Sequence, residues 1–270
     1  MELSTRYSNL VDAKVRASLV LKDGVIFNNR YEGDAKAGSV KVRKTGGASV
    51  QDYDKMNGVG LTEGASEYIT ITIDKDRAIN EILDCYDAAA VTDDMVADRL
   101  DEAGYAMASQ LDVDGAIELC ANGKALENTT ALTKSTVYEA TVDARTALSE
   151  AGVPNDGLRY LVVTPAVYAL VLKSPEFIKA SDLGDKVVKT GAVGQISGFN
   201  VYESANLAEG VEFVAGHPKY ATRVNEWAVD VHVQDLSGSG KYIGASAVQG
   251  RKVYAHKVTN PDCILVKKNA

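Results

Sequence analysis

The sequence is poor in the residues that build metal sites and disulfide frameworks, and it lacks any long apolar run. Its three cysteines, Cys85, Cys120 and Cys263, lie far apart among 270 residues without a Cys-x-x-Cys spacing. Neither a zinc site nor a disulfide framework is therefore predicted, and reduced thiols in a cytoplasm are the simplest interpretation. No run of about 20 apolar residues predicts a membrane span, and the mixed charges of residues 1–24 lack the apolar centre of a signal peptide.

A net basic charge is also missing. The formal net charge of −8 argues against a protein that binds nucleic acid by neutralising phosphates over a broad face. The charge is uneven, because residues 1–44 carry a net +4 and the stretch Asp84–Glu118 carries a net −9. This distribution suits contact between copies of the chain, although a solvated helix face would show the same acidic run.

Three stretches imitate ligand-binding motifs, and each departs from its motif. Asn57–Gly64 has spaced glycines, but no strand precedes it and no helix follows it, so it is no dinucleotide fingerprint. Ser237–Tyr242 resembles the end of a phosphate loop, but Tyr242 stands where Ser or Thr must hold magnesium. Asp112–Gly115 begins like a calcium loop, but Gly123 replaces the closing glutamate.

The histidines and hydroxyl residues offer no catalytic pattern either. The histidines share no ligand spacing, which favours packed or exposed strand residues over metal ligands; they are His217, His232 and His256. No Gly-x-Ser-x-Gly elbow points to a nucleophile. The sequence therefore predicts no catalytic residue, no cofactor and no metal.

Two alternating stretches predict the strands of a long hairpin. In Gly38–Lys44 valines alternate with basic residues, and in Glu67–Lys75 isoleucines alternate with threonines. The glycine-rich stretch between them is long for a turn, and long loops in compact domains tend to be functional or mobile. The predicted hairpin spans residues 36–76.

Apolar residues at helical spacing predict three helices. A short one covers residues 4–21. A long one runs from Thr92 to about Cys120, with Thr92 or Asp93 as N-cap and acidic residues on its solvated or basic-facing side; its apolar stripe is Val96, Leu100, Ala103, Met107 and Leu111. The third starts near Ser135 and is closed by Gly152; its predicted buried face is Val137, Thr141, Ala144 and Leu148.

The remaining part of the chain mixes strands with one short helix. Leu158–Pro165 reads as a buried strand that stops at its proline, followed by a helix that ends before Pro175. In Gly191–Leu207 a turn at Gly198 is predicted to lead into a strand, not to cradle a phosphate, because no helix follows it. No regular alternation of strand and helix predicts a doubly wound sheet, so the class is α+β.

The order of these elements resembles the major capsid proteins of tailed bacteriophages, which have the Hong Kong 97-like fold. Five stretches carry the resemblance, including a "G..G.I.GF.V..S..L" signature in residues 191–207; they are residues 38–55, 68–84, 160–177, 191–207 and 249–268. The resemblance covers about residues 36–80 and 134–268. Residues 81–133 are similar in kind but not by motif.

This resemblance implies a division of the chain and a function. It implies an N-terminal arm, an extended loop, a peripheral domain with a spine helix and an axial domain; these span residues 1–35, 36–76, 77–133 with 229–257, and 134–228 with 258–270. The function implied is that of a non-enzymatic structural protein of the virion, which self-assembles into an icosahedral shell that packages phage DNA.

The resemblance also implies partners. These are copies of the chain in pentamers and hexamers, a portal, and DNA held without sequence specificity, with no membrane and with assembly in the host cytoplasm. Some members of the family carry a long N-terminal scaffolding segment; residues 1–35 are too short for one, so a separate scaffolding protein is expected. Candidate intersubunit contacts are Lys14, Arg16, Val40, Lys41, Val42, Arg43, Tyr53, Asp98, Asp101 and Glu102.

Three alternatives stay open at this point. An encapsulin-type compartment shares the fold but encloses an enzyme cargo, and an unrelated soluble α/β enzyme or ligand-binding protein would show a concave pocket with converging polar groups. Some family members crosslink a loop lysine to an asparagine of a neighbour. Lys41, Lys44 and Lys55 lie in the loop, but solvated lysines at a sheet edge are the preferred interpretation.

Overall fold

The computed structural model describes residues 19–31, 38–45, 49–61, 63–64, 66–86, 95–175 and 194–269. Within these ranges three helices are bounded, which are α1 (Met95–Asn122), α2 (Val137–Glu150) and α3 (Pro165–Leu172). The strands of the same ranges are β1 (Ser39–Thr45), β2 (Ser66–Thr72), β3 (Lys75–Asp84), β4 (Lys124–Ala125), β5 (Tyr160–Val163), β6 (Gln195–Ile196), β7 (Phe199–Glu203), β8 (Val211–Gly216), β9 (Ala221–Asp235), β10 (Ala245–Val258) and β11 (Ile264–Lys268).

The strands β1 and β2 form the predicted antiparallel hairpin. Ser39 pairs with Thr72 and Thr45 pairs with Ser66, as the alternation of apolar and polar residues on both strands predicts. One face of the hairpin packs on the body of the subunit, in a small cluster of Val42, Ile71, Val224 and Ala255. The base of the hairpin is thereby fixed to the long strands β9 and β10.

A three-stranded antiparallel sheet in the order β3-β10-β9 packs against α1. Its helix-facing side meets the first half of α1 through a cluster of Leu83, Ala103 and Val248. The predicted apolar stripe of this helix is confirmed, since Ala103 is buried and the other four members are half-buried. The predicted caps Thr92 and Asp93 lie outside the described residues.

The second half of α1 corrects a prediction. Its acidic side was expected to be solvated or to face basic groups. Asp112 and Asp114 are instead buried within the chain, although Asp114 does face a basic group, Arg77. They share this part of the helix with Ala116, Leu119 and Cys120, which are also buried. The helix turns these two carboxylates toward the body because partners from distant parts of the sequence bind them there.

The six-stranded sheet, in the order β4-β11-β8-β5-β7-β6, has an apolar core on each face. Its central strand β5 is buried at all four residues, as predicted for a strand covered on both sides. Leu161 and Val163 face a cluster that contains α2 and α3, whereas Tyr160 and Val162 face a cluster that contains the end of α1. This sheet therefore holds the main core of the described residues.

The helices α2 and α3, which pack on this sheet, agree with the predictions from the sequence. All four residues of the predicted buried face of α2 are buried, and Gly152 beyond its end has a φ of +73°, a left-handed conformation typical after a helix. At the start of α3, the Thr164 side chain accepts a hydrogen bond from the Val167 amide and Pro165 occupies the first turn.

The glycine stretch that could have held a phosphate is a tight turn between two strands. Ile196 on β6 pairs with Phe199 on β7, so only Ser197 and Gly198 connect the strands. Their φ angles are +48° and +81°, as a two-residue hairpin turn requires. The predicted turn at Gly198 is confirmed, whereas Gly191 lies outside the described residues.

Candidate intersubunit surface and buried junction

The loop between the hairpin strands exposes an unusual number of apolar side chains. Between residues 49 and 61 every position is exposed except Gly58, which is half-buried. The exposed apolar residues, called the hairpin tip from here on, are Val50, Tyr53, Met56, Val59 and Leu61. Val50, Met56 and Leu61 keep 95% or more of their surface in solvent. Several exposed apolar side chains grouped in one loop mark an interaction surface more often than a solvated loop.

The hairpin tip has its own local structure. Asp54 accepts a hydrogen bond from the Met56 amide at 2.8 Å and one from the Asn57 side chain at 2.8 Å. These bonds hold the pKa of the Asp54 carboxyl below its usual value, and the bond from the Met56 amide has the larger effect. The Gly58 amide closes the turn on the Asp54 carbonyl at 2.8 Å. The polar groups of the turn bond to one another, and Met56 faces outward.

The other predicted contact residues of the hairpin fall into two groups. Val42 is buried in the cluster at the base and Val40 packs against it, so burial argues against Val42 as a contact for another chain. Lys41 and Arg43 are exposed and alternate with the two valines, which places them on the opposite face. Tyr53 belongs to the exposed tip.

The predicted contact residues of α1 lie together near the start of this helix. Asp98, Asp101 and Glu102 occupy positions i, i+3 and i+4 and therefore share one side of the helix. The first two are exposed and Glu102 is half-buried. Lys14 and Arg16, the expected basic partners, lie outside the described residues.

A second group of exposed apolar residues lies at the far end of the three-stranded sheet. It contains Ile82 near the end of β3, Tyr86 just after it, and Tyr242 with Ile243 in the connection from β9 to β10. Ile243 keeps 94% of its surface in solvent. Sequence reasoning missed this group; the available signal was an apolar pair, Tyr242 and Ile243, in the stretch 237–244, whose other residues are glycine, serine and lysine.

The buried carboxylate of Asp114 connects α1 to the three-stranded sheet. It accepts bonds from Arg77 at 3.0 and 3.1 Å, from the Tyr254 hydroxyl at 2.7 Å and from Gln110 at 3.0 Å. Burial opposes the charged form of Asp114, but the bonds from Arg77, Tyr254 and Gln110 outweigh it and lower the pKa of this carboxyl. Asp114 therefore stays ionised and ties three elements together.

A second buried group attaches the chain segment before the hairpin to the body. Asp112 accepts bonds from the Leu21 amide at 2.7 Å and from Asn206 at 2.8 Å. Arg223 on β9 donates to the Leu21 carbonyl at 2.7 Å and to Asp23 at 2.9 Å. Leu21 is thereby held at both its amide and its carbonyl by side chains of the body.

His256 on β10 completes this junction. Its Nε2 accepts a hydrogen bond from Arg223 at 2.8 Å, and its ring lies 4.9 Å from that of Phe27. Burial, followed by the charge of Arg223, lowers the pKa of His256 to about 3. Of the other two histidines, His217 is also buried and His232 is exposed.

A groove of about 830 Å³ lies between α2, β4 and β11. On its rim Lys124 pairs with Asp262 at 3.1 Å. Lys267 donates to the backbone carbonyls of Asn128 and Thr130. Within the described ranges, no three metal-binding side chains come together, and no helix there is long and apolar enough to cross a membrane.

Comparisons with known proteins match the chain to one protein family and to many solved structures of similar fold. A family profile described as "Phage capsid protein" matches residues 82–266, and no curated protein sequence matches. A structure from Mycobacterium phage Che8 is 23% identical, with a TM-score of 0.82 over 98% of this chain and 96% of the other. The capsid structure of cyanophage P-SCSP1u is 15% identical, with a TM-score of 0.83 over 98% of this chain and 92% of the other. The mature capsid structure of bacteriophage PhiM1 is 13% identical, with a TM-score of 0.75 over 100% of this chain and 92% of the other.

Proposed function

The chain belongs to the phage capsid protein family, and from this premise we propose which of its surfaces join one copy to the next in the shell. It is a structural major capsid protein with the Hong Kong 97-like α+β fold that its sequence resembled, and its place is the virion capsid. The family match favours the capsid over both the encapsulin-type compartment and the soluble enzyme.

The hairpin tip is the main contact with a second copy. The observation that carries this proposal is the exposure of Val50, Met56 and Leu61, side chains that a single subunit leaves entirely in water. Burying one such side chain contributes about 1.5–3 kcal/mol. Because every subunit of a closed shell repeats the contact, this energy is gained once per copy.

The charged residues contribute less and set the orientation of the contact. Lys41 and Arg43 lie on the exposed face of the hairpin, and Asp98, Asp101 and Glu102 lie near the start of α1. An exposed pair is worth only about 0.2–1 kcal/mol. Since Asp112 and Asp114 are used inside the chain, the acidic surface available to a basic arm with Lys14 and Arg16 is smaller than the sequence suggested.

The finer assignments draw on the fold and on the family resemblance. The division into arm, extended loop, peripheral domain and axial domain is supported by two separate sheets, one packed on α1 and one with its own core. Pentamers and hexamers, a separate scaffolding protein, a portal and assembly in the host cytoplasm follow from the family resemblance. The net charge of −8 suits a container that holds DNA without gripping it.

Assembly of serine variants tests the role of the hairpin tip. We expect Met56→Ser with Leu61→Ser to reduce the yield of particles or ring-shaped capsomers at least tenfold, measured by sedimentation and electron microscopy. The far-ultraviolet circular dichroism of the subunit should stay unchanged, because Met56 and Leu61 are almost fully exposed. Leu158→Ser is the matched control, since Leu158 is half exposed but lies outside the hairpin.

Two outcomes would contradict this assignment. Full assembly of the double variant would remove the hairpin tip from the interface. An equal loss in the Leu158→Ser control would show that removal of any exposed apolar side chain impairs assembly, and the tip would then have no special role.

A further inference from the structure

The bond between Arg223 and His256 fixes the protonation state of the histidine. A guanidinium group can only donate hydrogen bonds, so the Nε2 atom that lies 2.8 Å from Arg223 Nε must present a lone pair. The ring is therefore neutral and carries its proton on Nδ1. If Nε2 gained a proton, this bond would be lost and two cations would face each other in a buried site.

Arg223 links this ring to the segment Leu21–Phe27. Its other nitrogens hold the Leu21 carbonyl at 2.7 Å and the Asp23 carboxylate at 2.9 Å. Its guanidinium carbon lies 5.0 Å from the centre of the Phe27 ring, and that ring also contacts His256. A displacement of Arg223 would thus remove several contacts that keep the segment on the body.

The surroundings of His256 leave little room for a charged ring. Gly115 on α1 approaches so closely that a Cβ there would lie 2.9 Å from the Phe27 ring and 3.4 Å from Nε2 of His256. Among the described residues Nδ1 is buried without a hydrogen-bond partner. The titratable groups that face the junction from the packed elements are Asp23, Lys75, Arg77, Asp112, Asp114, Arg223, Lys252 and Tyr254.

We propose that His256 is an acid-sensitive latch, in which protonation of the ring displaces Arg223 and releases the segment Leu21–Phe27 from the body of the subunit. The segment precedes the extended hairpin in the chain. This device belongs to the single subunit and does not depend on which surfaces join the copies.

The direction of the pH dependence follows from the pKa of His256, which lies near 3 in the folded chain against an ordinary value of 6.5. A histidine whose pKa is lowered in this way stabilises the closed state, in which Leu21–Phe27 is held on the body, fully above about pH 6.5. This stabilisation is lost as the pH falls from about 6.5 toward 3. One proton taken up on opening raises the open population up to tenfold per pH unit.

The release should stop at Asn28. Its side chain donates to the carbonyl oxygens of Pro218 at 2.8 Å and Ala221 at 2.9 Å, and its backbone amide donates to Ala221 at 2.8 Å. The Arg223 backbone amide also donates to the Asn28 carbonyl at 2.8 Å, but none of these bonds involves the side chain of Arg223 or of His256. Asn28 therefore separates a pH-dependent segment from a pH-independent attachment.

Hydrogen exchange of the full chain between pH 7 and pH 4 tests the latch. We compare the exchange rate of the peptide that covers Leu21–Phe27 in the wild type with that in His256→Gln, whose amide oxygen accepts a hydrogen bond from Arg223 at every pH. As the pH falls, we expect the ratio of the wild-type rate to the variant rate to rise up to tenfold per pH unit. Comparing the two chains at each pH cancels the intrinsic exchange rate and every effect of pH that both chains share. His232→Gln is the matched control on the exposed side of the same sheet and should behave like the wild type.

A second measurement keeps the test decisive if the glutamine variant does not fold. Deuterium exchange at ring carbon C2, read by mass spectrometry, follows the titration of His256 in the unchanged chain. A midpoint near 6.5 would overturn the latch, because the junction would then tolerate a charged ring. Equal pH dependence in the wild type and His256→Gln would also overturn it, as would loss of protection in β5 at the same pH as in Leu21–Phe27.

Discussion

The six-stranded sheet and the hairpin tip treat apolar side chains in opposite ways. In β5 the four residues Tyr160–Val163 are at most 1% exposed, with a core on each face of the sheet. In the hairpin tip Leu61 and Met56 lie wholly in solvent. One region completes its burial within a single chain, whereas the other leaves its apolar surface for another molecule.

This difference separates two kinds of stability. Substitutions in the six-stranded sheet should act on the folding of the subunit, and substitutions in the hairpin tip should act on the association of subunits. For a capsid protein both are needed, since a subunit that buried all its apolar surface would have little left to hold a shell together.

The largest effect is expected in the core of the six-stranded sheet. Phe213 on β8 is fully buried in the cluster that includes α2 and α3. Phe213→Ala should lower the free energy of unfolding by about 3–5 kcal/mol, because it removes apolar contacts and leaves a cavity. Urea denaturation of the dissociated subunit measures this change. The matched control Met56→Ala should change it by less than about 0.5 kcal/mol; similar losses in both variants would erase the contrast between the two regions.

A smaller effect is expected where polar groups are buried between α1 and the sheet. Asp114→Asn leaves Arg77 without its ionic partner, so the free energy of unfolding should fall by about 1–3 kcal/mol at pH 7. The same substitution in solvent, Asp54→Asn, serves as control. Because the pKa of Asp114 is lowered, its contribution is complete above the ordinary carboxyl pKa and is lost as the pH falls through the folded value.

Denaturation at several pH values checks the sign of this effect. The difference between the wild type and Asp114→Asn should shrink as the pH falls below about 4. A difference that grows in acid would mean that Asp114 is protonated in the folded subunit, and the assignment of an ionised carboxylate would be wrong.

The smallest effect is expected at the base of the hairpin, between the two contrasted regions. Ile71 is buried against β9 and β10, so Ile71→Val should cost about 0.5–1.5 kcal/mol of unfolding free energy. Thr70→Ser removes one methyl group from the exposed face of the same strand and should cost less. Equal costs in thermal or urea unfolding would show that the base is as independent of the body as the tip.

The sequence predicted those helices and strands whose buried face follows from a regular spacing of apolar residues. The buried face of α2 was predicted residue by residue, since Val137, Thr141, Ala144 and Leu148 recur at helical spacing. The Ser197–Gly198 turn followed from a glycine directly before an alternating strand. The hairpin strands followed from alternation alone, although alternation could not tell which face, that of Val42 or that of Lys41, would meet the body.

Burial of charge could not be predicted in this way. Asp112 and Asp114 lie in an acidic run that looks solvated, and their partners Leu21, Arg77 and Tyr254 stand far away in the sequence. Only the fold brings these groups together. For the same reason the contact between Arg223 and His256, which are 33 residues apart, could not be predicted from the sequence.

The most direct test of the central claim is hydroxyl-radical footprinting of the hairpin tip in dissociated subunits and in assembled shells. If the hairpin tip joins one copy to the next, the reactivity of Tyr53, Met56 and Leu61 should fall at least fivefold on assembly, while the free subunit shows them fully reactive. Unchanged reactivity of these residues in intact shells would contradict the claim that this apolar surface is buried between copies of the chain.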